Sequence, residues 1–252
     1  MDTSRLLDCL AAEAVRLRTA AARGLTSPVP TCPGWTVEDL VRHVANLYLN
    51  VVVRRLRMPA DTPKQDLAEE DPLAAFDRGY AAMMDEFSAR RPEDHVGQLP
   101  HETVRYWVRR MVHETAIHRL DAELAFTEAV SPIPSDQAID GVDEMLTGFL
   151  GELTRLFPEE FAADLSDWAD RWALVSAGDA AWRITVRPDS AEVTRIEGHG
   201  VDGGAAARIS GKPAAMLRSL YNRGGAGEVT TDGNGALIAQ LRRLLTAVTN
   251  TT

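Results

Sequence analysis

Through the first half of the chain, apolar positions recur every three to four residues and are interrupted by Pro and Gly, whereas the two-residue alternation of strands appears only after about residue 180. The first half therefore reads as helices. One runs from Thr3 to Arg23 and stops at Gly24. A second starts after Thr36, an N-cap with Asp39 at the third helical position, and carries Val37, Leu40, Val41, Val44, Leu47, Tyr48 and Val51 on its apolar stripe before ending ahead of Pro59. A third spans Pro72 to Arg91, with Pro72 in the tolerated first turn, and a fourth spans Thr103 to Phe126. The fifth, Asp136 to Phe157, contains Gly141, Gly148 and Gly151, which weaken its regularity.

Beyond a Trp-rich acidic stretch, Trp182 to Val186 and Glu192 to Ile196 read as a hairpin around Pro188-Asp189. Ala206 to Ser210 and Glu228 to Thr231 are further short strands, interleaved with helices over Pro213 to Arg223 and Gly235 to Ala247. The expected fold is α+β, with a helical bundle over residues 1–158 and a smaller α+β domain over 159–252.

Composition narrows the function. The 252 residues carry a formal net charge of -10, which disfavours nucleic acid as a partner because phosphate-backbone binding needs clustered basic charge. No apolar run reaches the ~18 residues of a membrane span, and the start is amphipathic and charged rather than signal-like. Two cysteines, Cys9 and Cys32, make no disulfide framework and suit a reducing compartment. A cytoplasmic protein without a membrane partner is expected. Its oligomeric state is not legible.

The chemistry concentrates on the fourth helix. A rotation of about 100° per residue places Trp107, Met111, Glu114, Thr115, His118, Ala122 and Ala125 on one side, so Glu114 and His118 stack on adjacent turns facing the bundle core. Burying that carboxylate without a cation or donors would be costly. His43 lies on the shoulder of the second helix's stripe and supplies a third candidate ligand. An N, N, O set of this kind leaves a coordination position open, as in catalytic zinc sites; zinc is the first choice, with nickel, iron and manganese compatible. Spacing alone does not separate this from chance, since carboxylate and imidazole four residues apart are common on helices. His113 is expected to face solvent, and His95, His101 and His199 lie near loops. Asp121 could orient the His118 ring, although a surface carboxylate is the simpler expectation.

The segments VPTCPGWTVEDLVRHVANLY and WVRRMVHETAIHRLDAELA together resemble the mycothiol-dependent maleylpyruvate isomerase family of the DinB-like superfamily. The later segments WRITVRPDSAEV and ARISGKPAAMLRSLYNRGGAGEVTTDGNGALIAQLRRLL resemble that family's small sterol-carrier-like second domain. The resemblance implies a DinB-like four-helix bundle holding a divalent metal through His43, Glu114 and His118, with mycothiol as thiol cosubstrate. It also implies a catalytic arginine in the second domain, best matched by Arg223, with Arg218 the competing choice.

Metal coordination would convert a thiol of pKa ~8.5 to thiolate at neutral pH. Adding that sulfur to the conjugated double bond of an unsaturated acid leaves a single bond free to rotate, and elimination completes cis-trans isomerisation. Without elimination the product is a thiol conjugate. The expected function is thus a metal-dependent, mycothiol-using isomerase of maleylpyruvate type or a thiol S-transferase acting on a small electrophile. The alternative is a non-catalytic protein binding metal and a small ligand.

Overall fold

The computed structural model describes residues 1–57, 63–97, 101–127, 129–196, 203–225 and 227–249. By internal contacts the chain divides into two compact units, Met1–Ser131 and Pro132–Thr252.

The first unit contains helices α1 (Thr3–Ala21), α2 (Val37–Asn46), α3 (Pro72–Ser88) and α4 (Val104–Leu124). The α2 rod continues as a π-helical segment, Leu47–Val53, and a last α-helical turn, Arg54–Arg57. These are the four helices read from the hydrophobic period. Leu6, Leu10 and Leu17 of α1, Leu40 and Val44 of α2, Phe76 and Met83 of α3, and Val108 and Met111 of α4 interlock in one core. Helices α2 and α3 approach closely at Gly79, where an added Cβ would lie 3.2 Å from Leu49 Cγ and 3.3 Å from Tyr48 Cβ.

Helix α1 packs along α4, and a buried ionic group fixes their register. Arg119 donates from Nε to Glu13 at 2.7 Å and from Nη1 to Glu123 at 2.9 Å and the Ser131 carbonyl at 2.7 Å. Arg119 and Glu13 are fully buried, so their charges need compensation, which this 2.7 Å pair, Glu123 and Arg16 supply.

The second unit begins with α5 (Ser135–Asp143), which continues as a π-helix, Glu144–Leu153, and one turn, Thr154–Leu156. This rod belongs to the second compact unit. Contacts to the sheet hold it there: Trp182 Nε1 donates to Asp143 at 2.8 Å, and the Ala191 amide donates to Thr154 Oγ1 at 2.9 Å. Met145, Leu146 and Leu150 are fully buried on the same rod.

Strands β1 (Ala173–Ala177), β2 (Ala180–Val186), β3 (Ala191–Ile196), β4 (Ala207–Gly211) and β5 (Val229–Gly233) form one sheet of order β3-β2-β1-β4-β5. Only the β1–β4 pairing is parallel, with Val175 opposite Ile209; the other pairings are antiparallel. The sequence reading missed β1, the central strand. Ala173, Leu174, Val175 and Ala177 are all buried, so the segment lacks the alternation that marked β2 and β3.

Helices α6 (Pro213–Leu220) and α7 (Gly235–Thr249) complete the unit. Helix α6 stops three residues before the expected Arg223, because Asn222 adopts φ 58°, a left-handed conformation in which Asn is tolerated. The Arg223 amide then donates back to the Arg218 carbonyl at 2.8 Å. No described helix is long and apolar enough to cross a membrane.

Candidate metal centre

The start of α2 fixes the first residue of the site. Thr36 accepts from the Asp39 amide at 3.3 Å while the Asp39 carboxylate accepts from the Thr36 amide at 2.8 Å, the reciprocal cap expected from the sequence. The Thr36 hydroxyl, which donates to Asp39 Oδ2 at 2.6 Å, and then the Thr36 amide hold the Asp39 carboxyl below its ordinary range. Two turns of α2 then bring His43 to the side facing α4, with Trp35 from the preceding loop against its ring at 5.1 Å between centroids.

On α4, Glu114 and His118 lie one turn apart, with Glu114 Oε1 3.1 Å from His118 Nε2 and 3.7 Å from His43 Nε2. The two imidazoles meet edge to face, 4.9 Å between centroids. One ligand atom from each of His43, Glu114 and His118 lies within 4.8 Å of the others, the grouping expected from the sequence. A tetrahedral centre with bonds of ~2.1 Å separates its ligand atoms by ~3.4 Å, so a divalent cation fits this donor set with small side-chain shifts.

Burial and charge make the set suitable for a cation. Burial first, and the nearby His118 second, push His43 down from its ordinary value to about 4, leaving it neutral and able to ligate at pH 7. The side chains of His43 and Glu114 remain 29% and 15% exposed, so the group is open on one side. A bound cation could accept a further ligand there.

Neighbouring side chains hold the three candidate ligands in place. Arg110, four residues before Glu114, donates from Nη2 to Glu114 Oε2 and leaves Oε1 turned toward the two histidines. Behind the other ligand, His118 Nδ1 lies 3.1 Å from Asp121 Oδ2. Next to Glu114, Thr115 shares a 2.6 Å hydrogen bond with Tyr48, which ties the π-helical part of α2 to α4. Burial raises the Tyr48 hydroxyl well above its ordinary range, so it stays protonated.

Two expectations need correction. Asp121 is fully buried, not a surface carboxylate, and His113 is fully buried, not solvent-facing. Both follow from one property of α4: it is enclosed on nearly every side, so its polar residues have no solvent face to occupy. His95 pairs with Thr103 in a short bridge ahead of α4, and His101 packs on Tyr106; neither joins the ligand set. His199 lies outside the described residues. Arg110 and Trp35 were not singled out in the sequence, although the four-residue spacing from Arg110 to Glu114 was a readable signal.

In the second unit, Arg223 is half-buried on the turn after α6 and donates from Nη1 to the Tyr221 carbonyl at 2.7 Å. Arg218 is engaged by Glu228 through Nη2 at 2.7 Å and Nε at 3.3 Å.

Residues 7–123 match the model of the mycothiol maleylpyruvate isomerase N-terminal domain, a span that includes all three candidate ligands. A search of curated protein sequences finds no match. The fold is similar to the crystal structure of a histidine-to-alanine mutant of the mycothiol-dependent maleylpyruvate isomerase, at 13% identity and TM-score 0.59 over 92% of this chain and 93% of that one. It is also similar to the crystal structure of the mycothiol-dependent maleylpyruvate isomerase without that substitution, at 15% identity and TM-score 0.57 over 92% of this chain and 93% of that one. Over residues 7–123, the N-terminal unit is similar to the mycothiol maleylpyruvate isomerase N-terminal domain family.

Proposed function

We propose that the chain is a metal-dependent enzyme that uses mycothiol, acting as an isomerase of maleylpyruvate type or as a thiol S-transferase on a small electrophile. The observation that carries this reading is the convergence of His43, Glu114 and His118 on one point, open on one side. A divalent cation there, zinc by first choice, would supply positive charge that favours thiolate over thiol at neutral pH.

The chain's own residues have separable tasks in this account. His43 is neutral and needs to lose no proton before ligating. Glu114 brings the one negative charge among the three ligands, while Arg110 occupies its second oxygen and favours binding through the first. Trp35 covers one side of the His43 ring and limits its movement. Arg223 is assigned to the substrate: its guanidinium would meet carboxylate or enolate charge as it develops, a role in which an ammonium is a poor replacement. Arg218, whose fork Glu228 holds, is the competing choice.

Product formation by metal-loaded protein tests the proposal, with maleylpyruvate and simple alkylating electrophiles offered in the presence of mycothiol, glutathione or no thiol. Activity is expected with mycothiol, little with glutathione, which lacks the sugar-inositol portion, and none without thiol. Equal rates in all three arms would remove thiol activation from the account.

A further inference from the structure

The carboxylate of Asp121 is fully buried, yet it belongs to none of the three ligands. Its two oxygens reach different parts of the first unit. Oδ2 faces His118 Nδ1 at 3.1 Å, and Oδ1 accepts from the Thr31 hydroxyl at 2.5 Å. The Cys32 thiol also donates toward Oδ2, at 3.6 Å. Thr31 and Cys32 sit in the loop that leads into α2, only a few residues before Trp35 and the Thr36 cap. Asp121 therefore joins the ring of one candidate ligand to the segment that places the other histidine.

We infer that Asp121 is a positioning residue of the metal centre, orienting His118 and anchoring the Thr31–Trp35 loop behind His43. The inference rests on the metal-centre reading above. With Asp121 as acceptor, the tautomer that carries its proton at Nδ1 turns the Nε2 lone pair toward Glu114 and His43, the form that a cation at that point requires. The hydrogen bond also stops the imidazole from turning about its own axis. Hydrogen bonds from Thr31 and Cys32 restrain the carboxylate in turn, so the acceptor is held before any cation arrives.

A purely structural carboxylate would affect folding without affecting metal affinity in folded protein. The test is the zinc dissociation constant of the full chain, measured by competition with a chromophoric chelator, alongside the melting temperature of the metal-free protein. Asp121→Ala should weaken zinc binding about 10- to 100-fold. Asp121→Asn should fall between wild type and Ala, because its amide oxygen can still accept from Nδ1 but carries no full charge. Thr31→Ala, which removes only one restraint on the carboxylate, should weaken binding by a smaller factor and decides the matter if the Asp121 variants do not fold. Wild-type zinc affinity in folded Asp121→Asn, or in folded Thr31→Ala where only that variant is available, would overturn the inference. If wild type itself binds no zinc, the metal-centre reading fails and this inference falls with it; tight wild-type binding with unaltered variants removes the inference alone.

Discussion

Replacing Arg119 with Met tests whether the bundle sets the direction of the ligand helix. Arg119 follows His118 directly, and its guanidinium links α4 to Glu13 of α1 across a site where both side chains are fully buried. Met keeps much of the volume but removes the 2.7 Å guanidinium contact to Glu13, whose remaining arginine, Arg16, lies at 3.5 Å, and the contact to Glu123. Breaking a buried pair from one side costs about 3–5 kcal/mol, more than the ~0–1 kcal/mol of an exposed pair. The exposed Arg18–Asp77 pair, at 3.1 Å, is the internal comparison. Urea unfolding followed by far-ultraviolet circular dichroism should show a loss of about 3–5 kcal/mol for Arg119→Met and under about 1 kcal/mol for Arg18→Met. Combining Glu13→Gln with Arg119→Met should cost less than the sum of the single changes, because Arg119→Met then strands no carboxylate at position 13. A loss below about 1 kcal/mol for Arg119→Met, or strict additivity in the double variant, would refute the reasoning.

Further outcomes follow from the two units. Arg223→Ala should lower turnover with the assigned substrate while metal content stays at the wild-type level, and Arg223→Lys should restore only part of the rate; wild-type turnover in the Ala variant would move the assignment to Arg218. For the metal-free protein, His43 has a folded pKa of about 4 against an ordinary 6.5, so the unfolded chain takes up its proton first as pH falls. Its contribution is fully present above pH 6.5 and is lost between 6.5 and about 4, by at most about 3 kcal/mol after allowing for partial exposure. Stability measured across that window should fall less steeply in His43→Gln than in wild type, and parallel profiles would contradict the shift.

The bundle was legible in the sequence because its cues are local. The stripe on α2, the Thr36–Asp39 cap and the one-turn spacing of Glu114 and His118 each depend on residues within a turn or two of one another, and each appears in the structure. Convergence of His43 with that pair depends on the packing of two helices distant in sequence; there the family resemblance supplied what periodicity could not. The misread features share a different cause. Asp121 and His113 look like surface residues by type, but α4 is enclosed nearly all round, and no helical period reports that. Strand β1 lost its alternating signal by being central, and α5 gave no local sign that its apolar side would be covered by the sheet. The turn at Asn222 was similarly hidden in what reads as continuous helix, and it is what places Arg223 beyond the end of α6.

The account depends most directly on His43, Glu114 and His118 forming one cation site. Metal-free protein dialysed against zinc and then against buffer, with zinc per chain read by elemental analysis, measures this without any assumption about substrate. Wild type should retain about one zinc per chain, His118→Ala should lose most of it, and the triple alanine variant should retain essentially none. Full occupancy in the triple variant, or none in folded wild type, would contradict the central claim.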